Sequence, residues 1–148
     1  MNGLSPEMKR YNCLTGEINA AYHEAALAFG FSDSAMFVLY ILCDSGGECR
    51  LKDICRLSGL SKQTVNSAVR GLERKNIIFL EPCGGRNKKV LLTAAGRLIS
   101  EGSAMKIISA ENAVFAGWEK EEISCYLGLT ERFLREFREK IREFKNNE

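Results

Sequence analysis

Apolar residues recur at Tyr11, Leu14, Ile18, Tyr22, Ala25 and Phe29, in steps of three and four. That spacing predicts one stripe of a long amphipathic helix over roughly Pro6 to Phe29. Gly30 ends it, and Ser32 stands as the N-cap of a second helix from Asp33 to Cys43. This second helix is apolar on nearly every side, so it is expected at the centre of the core. Asp44-Ser45-Gly46-Gly47 reads as a turn. Leu51 to Leu57 follows as a short helix with Leu51, Ile54 and Cys55 inward, then the tight turn Ser58-Gly59-Leu60. Ser61 caps the next helix, Lys62 to Lys75, whose Val65, Ala68, Val69 and Leu72 fall at i, i+3, i+4 and i+7. Its opposite face carries Lys62, Gln63, Asn66, Ser67, Arg70, Glu73 and Arg74, and Asn76 supplies a residue tolerant of the left-handed conformation at the helix end.

The period then changes from helical to extended. Ile77 to Leu80 and Lys88 to Thr93 read as two strands joined by Pro82-Cys83-Gly84-Gly85-Arg86-Asn87, a hairpin with a basic tip. Thr93 caps a fifth helix running from Ala94 to about Phe115, broken by Gly117. The last helix, Glu119 to Phe144, carries Ile123, Leu127, Thr130, Leu134, Phe137, Ile141 and Phe144, a heptad seam with one polar break. The expected fold is mainly α with a small β-hairpin wing. With no internal repeat, low-complexity tract or dividing linker, 148 residues make about one domain. Its winged middle is expected at about 32–93, between flanking helices at about 6–30 and 94–145.

Composition narrows the class. Apolar residues at 45% and charged residues at 27% are ordinary for a globular chain, and exclude a disordered or collagen-like one. The longest apolar run, Ala35 to Cys43, is nine residues, less than half a membrane span. The N-terminus lacks a basic region followed by an apolar stretch, so no signal peptide is expected and the protein should be cytoplasmic. Six cysteines, at 13, 43, 49, 55, 83 and 125, include no C-x-x-C pair, and His23 stands alone. Reduced thiols, mostly buried as small hydrophobes, are expected, with no metal and no cofactor.

Net charge is only +2, but it is unevenly placed. Arg50 to Arg97 holds eleven basic and three acidic residues, a balance of +8, while the remainder holds ten basic and sixteen acidic, or −6. A basic middle on an acidic scaffold is the footprint of a polyanion-binding module.

Two helices joined by a short glycine-containing turn and followed by a basic hairpin describe a winged helix-turn-helix. Its recognition helix needs one apolar stripe for anchorage and an opposite face of short polar and basic side chains. Gln63, Thr64, Asn66 and Ser67 suit base edges; Lys62 and Arg70 suit phosphate or guanine. Ser61 stands where backbone N–H groups can meet a phosphate. Arg86 at the wing tip suits a narrow minor groove, with Lys88 beside it. Double-stranded DNA is therefore the expected partner.

The chain resembles the MarR family of bacterial transcriptional regulators from about Tyr11 to Phe144. The resemblance is carried by the order of six helices, by Leu51 to Val65 (LKDICRLSGLSKQTV), by Gly71 to Ile78 (GLERKNII), and by Arg86 to Gly96 (RNKKVLLTAAG) with its Leu-Thr-x-x-Gly element. The family's wing reads Asp-x-Arg; here Gly84-Gly85-Arg86 keeps the arginine and lacks the aspartate, which is expected to leave Arg86 more mobile. Asn76 replaces the family's glycine after the recognition helix. The resemblance implies a homodimer interlocked through its terminal helices, acting by default as a repressor on a pseudo-palindrome. Independently, the terminal helices each carry a stripe that the small middle domain cannot cover alone.

The resemblance also implies a small aromatic or anionic effector in a cleft between the dimer helices and the winged domain. Tyr11, Phe37 and above all Tyr22, His23 and Tyr40 lie on helices that can line it, although core and dimer packing accounts for each singly. A thiol-based, peroxide-sensing regulator is the alternative. Cys13, with Lys9 and Arg10 nearby to favour a thiolate, and Cys83, expected as the most exposed thiol, are its candidates. An enzyme is disfavoured, because no nucleophile–base pair, paired carboxylates or phosphate-cradling loop is present. A winged-helix adaptor that binds protein rather than DNA is the remaining competitor.

Overall fold

The computed structural model describes residues 3–145. Helix α1 (Pro6–Ala28) opens on Ser5, whose hydroxyl accepts the Met8 N–H at 3.1 Å, and α2 (Asp33–Asp44) opens on Ser32 in the same way. A short strand β1 (Glu48–Arg50) leads into α3 (Leu51–Ser58), which ends on left-handed Gly59. Next come α4 (Lys62–Arg74), β2 (Ile78–Pro82), β3 (Lys88–Leu92), α5 (Ala94–Glu101), α6 (Ala104–Ala116) and α7 (Lys120–Lys145). The architecture is mainly helical with a small antiparallel sheet, as the sequence pattern predicts.

Two features differ from the sequence reading. The hairpin gains a third strand: β1 pairs with β3, opposite the edge that β2 occupies, giving the order β1-β3-β2. Cys49 and Leu80 both face Val90 across the ladder. Three residues are too few to show a period, so β1 exists because β3 offers an open edge, not because of its own propensity. The fifth helix is also two helices, making seven in all among the described residues. Gly102 donates its N–H to Leu98 and closes α5, and the Ser103 hydroxyl donates to the Ile99 carbonyl at 2.7 Å. A glycine followed by a serine that bonds back to the chain ends the turn there, and α6 restarts from it.

The chain divides into two compact units, one up to Ile108 and one from Ser109. The first has a closed core around α2, whose Val38, Leu39 and Leu42 are wholly buried. Against them pack Ile54 of α3, Val65, Ala68, Val69 and Leu72 of α4, and Ile78 and Val90 of the sheet. Helix α1 contributes only Ala26 to the buried set, and its Tyr11, Leu14, Ile18 and Tyr22 remain exposed. In the second unit no described side chain is buried. Phe115, Trp118 and Tyr126 stack edge-on, with centroids 5.2 Å apart for the first pair and 5.5 Å for the second. The seam residues Leu127, Leu134, Phe137, Ile141 and Phe144 of α7 are exposed. The polar break in that seam is satisfied within its own helix, since the Thr130 hydroxyl donates to the Tyr126 carbonyl at 2.7 Å. Among the described residues no single helix is long and apolar enough to cross a membrane.

Candidate nucleic-acid interface

Helix α4 is fixed by its apolar stripe and presents the rest of its surface outward. Ser61 caps it, accepting the Thr64 N–H at 3.1 Å, and the Ser61 and Thr64 hydroxyls share a further bond of 2.7 Å. Those two hydroxyls hold the first turn together. The N–H groups of Lys62 and Gln63, in the first helical turn, lack an intrahelical acceptor by geometry. Lys62, Gln63, Thr64, Ser67 and Arg70 are exposed, and Asn66 is half-buried. The result is a continuous polar and basic face, one turn deep at its acid-free start.

The hairpin closes at its tip through Cys83 N–H to the Asn87 carbonyl and Asn87 N–H to the Gly84 carbonyl. Gly84 and Gly85 both have positive φ, 102° and 57°, a path that side-chain-bearing residues rarely take. Arg86 follows them at the tip, exposed, with no acidic partner among the described residues. Lys88 is exposed on the same strand end.

The positive charge of the middle segment separates into two populations. Lys89 is held by Glu48 at 2.9 Å, and that bond raises its pKa above the usual lysine value. Arg56 lies 3.7 Å from Asp53, Lys75 sits over the Phe31 ring at 5.8 Å, and the Arg97 guanidinium lies against Gly47. These four have partners within the chain. Arg50, Lys52, Lys62, Arg70, Arg74, Arg86 and Lys88 have no such tie among the described residues, and all seven are exposed. A count of charges along the chain cannot make this distinction; the signal that separates them is the acid or ring across the strand or helix.

Tyr22 is exposed on α1, and Tyr40 of α2 stacks with Phe37 at 6.0 Å. The His23 Nδ1 is bonded to the Asp33 carboxylate at 2.8 Å, tying α1 to the start of α2. A groove of about 250 Å³ lies elsewhere, between the start of α2 and the flank of α4, lined by Phe31, Ser34, Ala35, Ser67, Gly71 and Lys75 among others.

The thiols depart from expectation. All six are free; Cys13 and Cys125 are exposed and the other four half-buried, so none is a fully buried hydrophobe and Cys83 is not the most exposed. Cys13 donates to Glu17 at 3.2 Å, and that hydrogen bond, with the carboxylate's charge, raises its pKa above the usual thiol value against the opposing pull of Arg10. The expected thiolate is therefore disfavoured there, because the acid one helical turn along accepts the thiol's hydrogen bond.

Residues 29–86 match the model of the MarR family. No curated protein sequence matches the chain. Among solved structures, AbsC, a MarR family regulator from Streptomyces coelicolor, is 17% identical over 93% of this chain and 99% of its own, with a TM-score of 0.72. The S. aureus MepR–DNA complex is 18% identical over 91% and 99%, TM-score 0.70. NadR in complex with 4-hydroxyphenylacetate is 11% identical over 90% and 95%, TM-score 0.69. The chain thus carries a MarR-type winged helix in its sequence at residues 29–86, and has the fold of the MarR family regulators over about nine-tenths of its length.

Proposed function

We propose that the protein is a transcriptional regulator that binds duplex DNA sequence-specifically as a homodimer on a pseudo-palindromic operator, represses from it, and is released by a small aromatic or anionic ligand. The observation that carries this reading is α4, anchored by four buried apolar side chains while Lys62, Gln63, Ser67 and Arg70 stand exposed without side-chain partners among the described residues. Arg86 on its glycine-built tip adds a second point of approach. MepR, whose complex with DNA has this fold, supports the DNA reading, and NadR with its phenolic carboxylate supports the ligand.

Helices α1 and α7 support self-association. Each carries an apolar stripe at helical spacing with several large side chains exposed, Leu14 and Ile18 on α1 and Leu134, Phe137 and Phe144 on α7 among them, and patches of this kind mark interfaces. The heptad spacing of Leu127, Leu134 and Ile141 suits a second helix of the same kind. A two-fold pair would set its recognition helices about 34–36 Å apart, one turn of duplex.

Selection from a randomised duplex pool at near-physiological salt tests the reading. An enriched pseudo-palindrome with half-sites one turn apart is expected. Binding should fall steeply with salt, roughly a thousandfold between 50 and 200 mM for about six phosphate contacts. No enrichment, with affinity indifferent to salt, would overturn DNA recognition in favour of a protein-binding adaptor.

A further inference from the structure

We infer that Thr93 is a positioning residue for DNA reading, resting on the function proposed above: its hydroxyl locks the end of the recognition helix to the first turn of α5. The joint is built almost wholly from backbone. Helix α4 ends with Asn76 in the left-handed region at φ 56°, donating its N–H to the Glu73 carbonyl, while the Ile77 N–H returns to the Leu72 carbonyl at 3.0 Å. This turn aims the carbonyls of Asn76 and Ile77 away from α4. Thr93 meets them there. Its hydroxyl donates to the Asn76 carbonyl at 2.8 Å, with the Ile77 carbonyl 3.2 Å away, and its N–H donates to the Ile77 carbonyl at 3.0 Å. The same oxygen accepts the Gly96 N–H at 2.8 Å and so caps α5.

Gly96 completes the joint by what it lacks. A Cβ at that position would stand 1.9 Å from the Ile77 carbonyl oxygen, well inside any tolerated contact. Only glycine lets the first turn of α5 come so close to the end of α4. The spacing of threonine and glycine in the Leu92-Thr93-Ala94-Ala95-Gly96 element thereby acquires a physical reason. The base of the wing enters the same joint, because Leu92 of β3 is paired with Ile78 of β2, one residue from each half of it.

Three parts therefore leave from one point: the recognition helix, the wing and α5. A duplex reader must hold α4 and the wing tip in a fixed relation, since the two approach different grooves. Thr93 is half-buried with its hydroxyl engaged by Asn76 and Gly96, and Gly96 is buried. The effect of Thr93 must act through Asn76, Ile77 and Gly96.

The test compares T93V, which keeps the shape and loses both hydroxyl bonds, with T93S, which keeps them. T93D is the third variant; as an acceptor only, it retains the Gly96 cap and loses the donation to Asn76. The readout is the ratio of affinities for the selected operator and for unrelated duplex of equal length, a ratio in which nonspecific phosphate attraction and the added charge of T93D largely cancel. T93V and T93D should lose about tenfold or more of that ratio while their binding to unrelated duplex stays within a few-fold of the parent. T93S should behave as the parent. An unchanged ratio in T93V or T93D overturns the inference, as does equal impairment in T93S, which would make the role one of size. Amide exchange at Ile77, Thr93 and Gly96 judges the joint without DNA. It should quicken in T93V and not in T93S while Val69 and Leu72 keep their protection; unchanged exchange overturns the tie. A parent without any sequence preference, but with this exchange pattern, would sink the proposed function and the DNA role of Thr93 while upholding the joint.

Discussion

Helices α4 and α7 both display apolar stripes at helical spacing and meet opposite fates. On α4, Val65 is fully buried and Leu72 is 1% exposed; on α7, Leu134 is 46% exposed and Phe137 is 53% exposed. The first helix finds α2 and the sheet within its own unit. The second lies in a unit without a single buried described side chain. A stripe states that a face is to be covered; it does not state by what. Local burial fixes α4 on the core of its unit, whereas the seam of α7 stands exposed.

The largest expected effect breaks the first half of this contrast. Leu72→Ala should destabilise the unit up to Ile108 by about 2–5 kcal/mol, the range for truncating a fully enclosed leucine. Denaturant unfolding should record this loss at every protein concentration. Leu134→Ala should act differently, because an exposed truncation in one copy alone costs within about 0.5 kcal/mol. Its effect is expected in self-association, as a rise of roughly tenfold or more in the dissociation constant measured by sedimentation. A concentration-independent loss in Leu134→Ala would place the cover of α7 within the single chain and end the contrast.

How much of this was legible in the sequence follows the same division. The stripe of α4, the caps at Ser32, Ser61 and Thr93, and the left-handed Asn76 are each set by residues within four positions, and pattern reads such features directly. Strand β1 and the break at Gly102-Ser103 were not legible. One depends on the far edge of β3, the other on a serine bonding back to its own helix. The candidate interface was legible in which side chains of α4 stand exposed and not in the sorting of charge. Lys89 and Lys88 are neighbours in sequence, yet Glu48, forty-one residues away from Lys89, claims only one of them. Cys13 failed for a related reason: Arg10 and Glu17 both lie near it in sequence, and only geometry shows that the acid makes the bond.

The division of charge gives the next prediction, smaller than the packing effects. Arg70→Ala and Arg86→Ala should each weaken operator binding by about 1–3 kcal/mol if the side chain reads a base, or lower the salt slope by about one if it meets a phosphate. Lys89→Ala, by contrast, removes a side chain already held by Glu48. It should leave the salt slope near the parent's, measured by titrating duplex at several salt concentrations. Equal losses from Arg86 and Lys89 variants would show that the intramolecular tie does not withdraw a cation from the interface.

The smallest effect concerns Cys13, on the exposed and uncovered side of the contrast. The Glu17 carboxylate accepts its S–H and raises the thiol's pKa, so at neutral pH the proton is held more firmly than in a free cysteine. Alkylation proceeds through the thiolate, and its rate follows the thiolate fraction. Glu17→Gln removes the charge, lowers the Cys13 pKa towards the ordinary value, and should speed its modification by iodoacetamide a few-fold at pH 7.5, as read by peptide mass spectrometry. The difference should shrink as pH rises through the pKa of both proteins, because the thiolate then predominates in each. A parent Cys13 that reacts as fast as the Glu17→Gln variant at pH 7.5 would show that Arg10, not Glu17, governs the thiol, and would restore a low-pKa cysteine to the first helix.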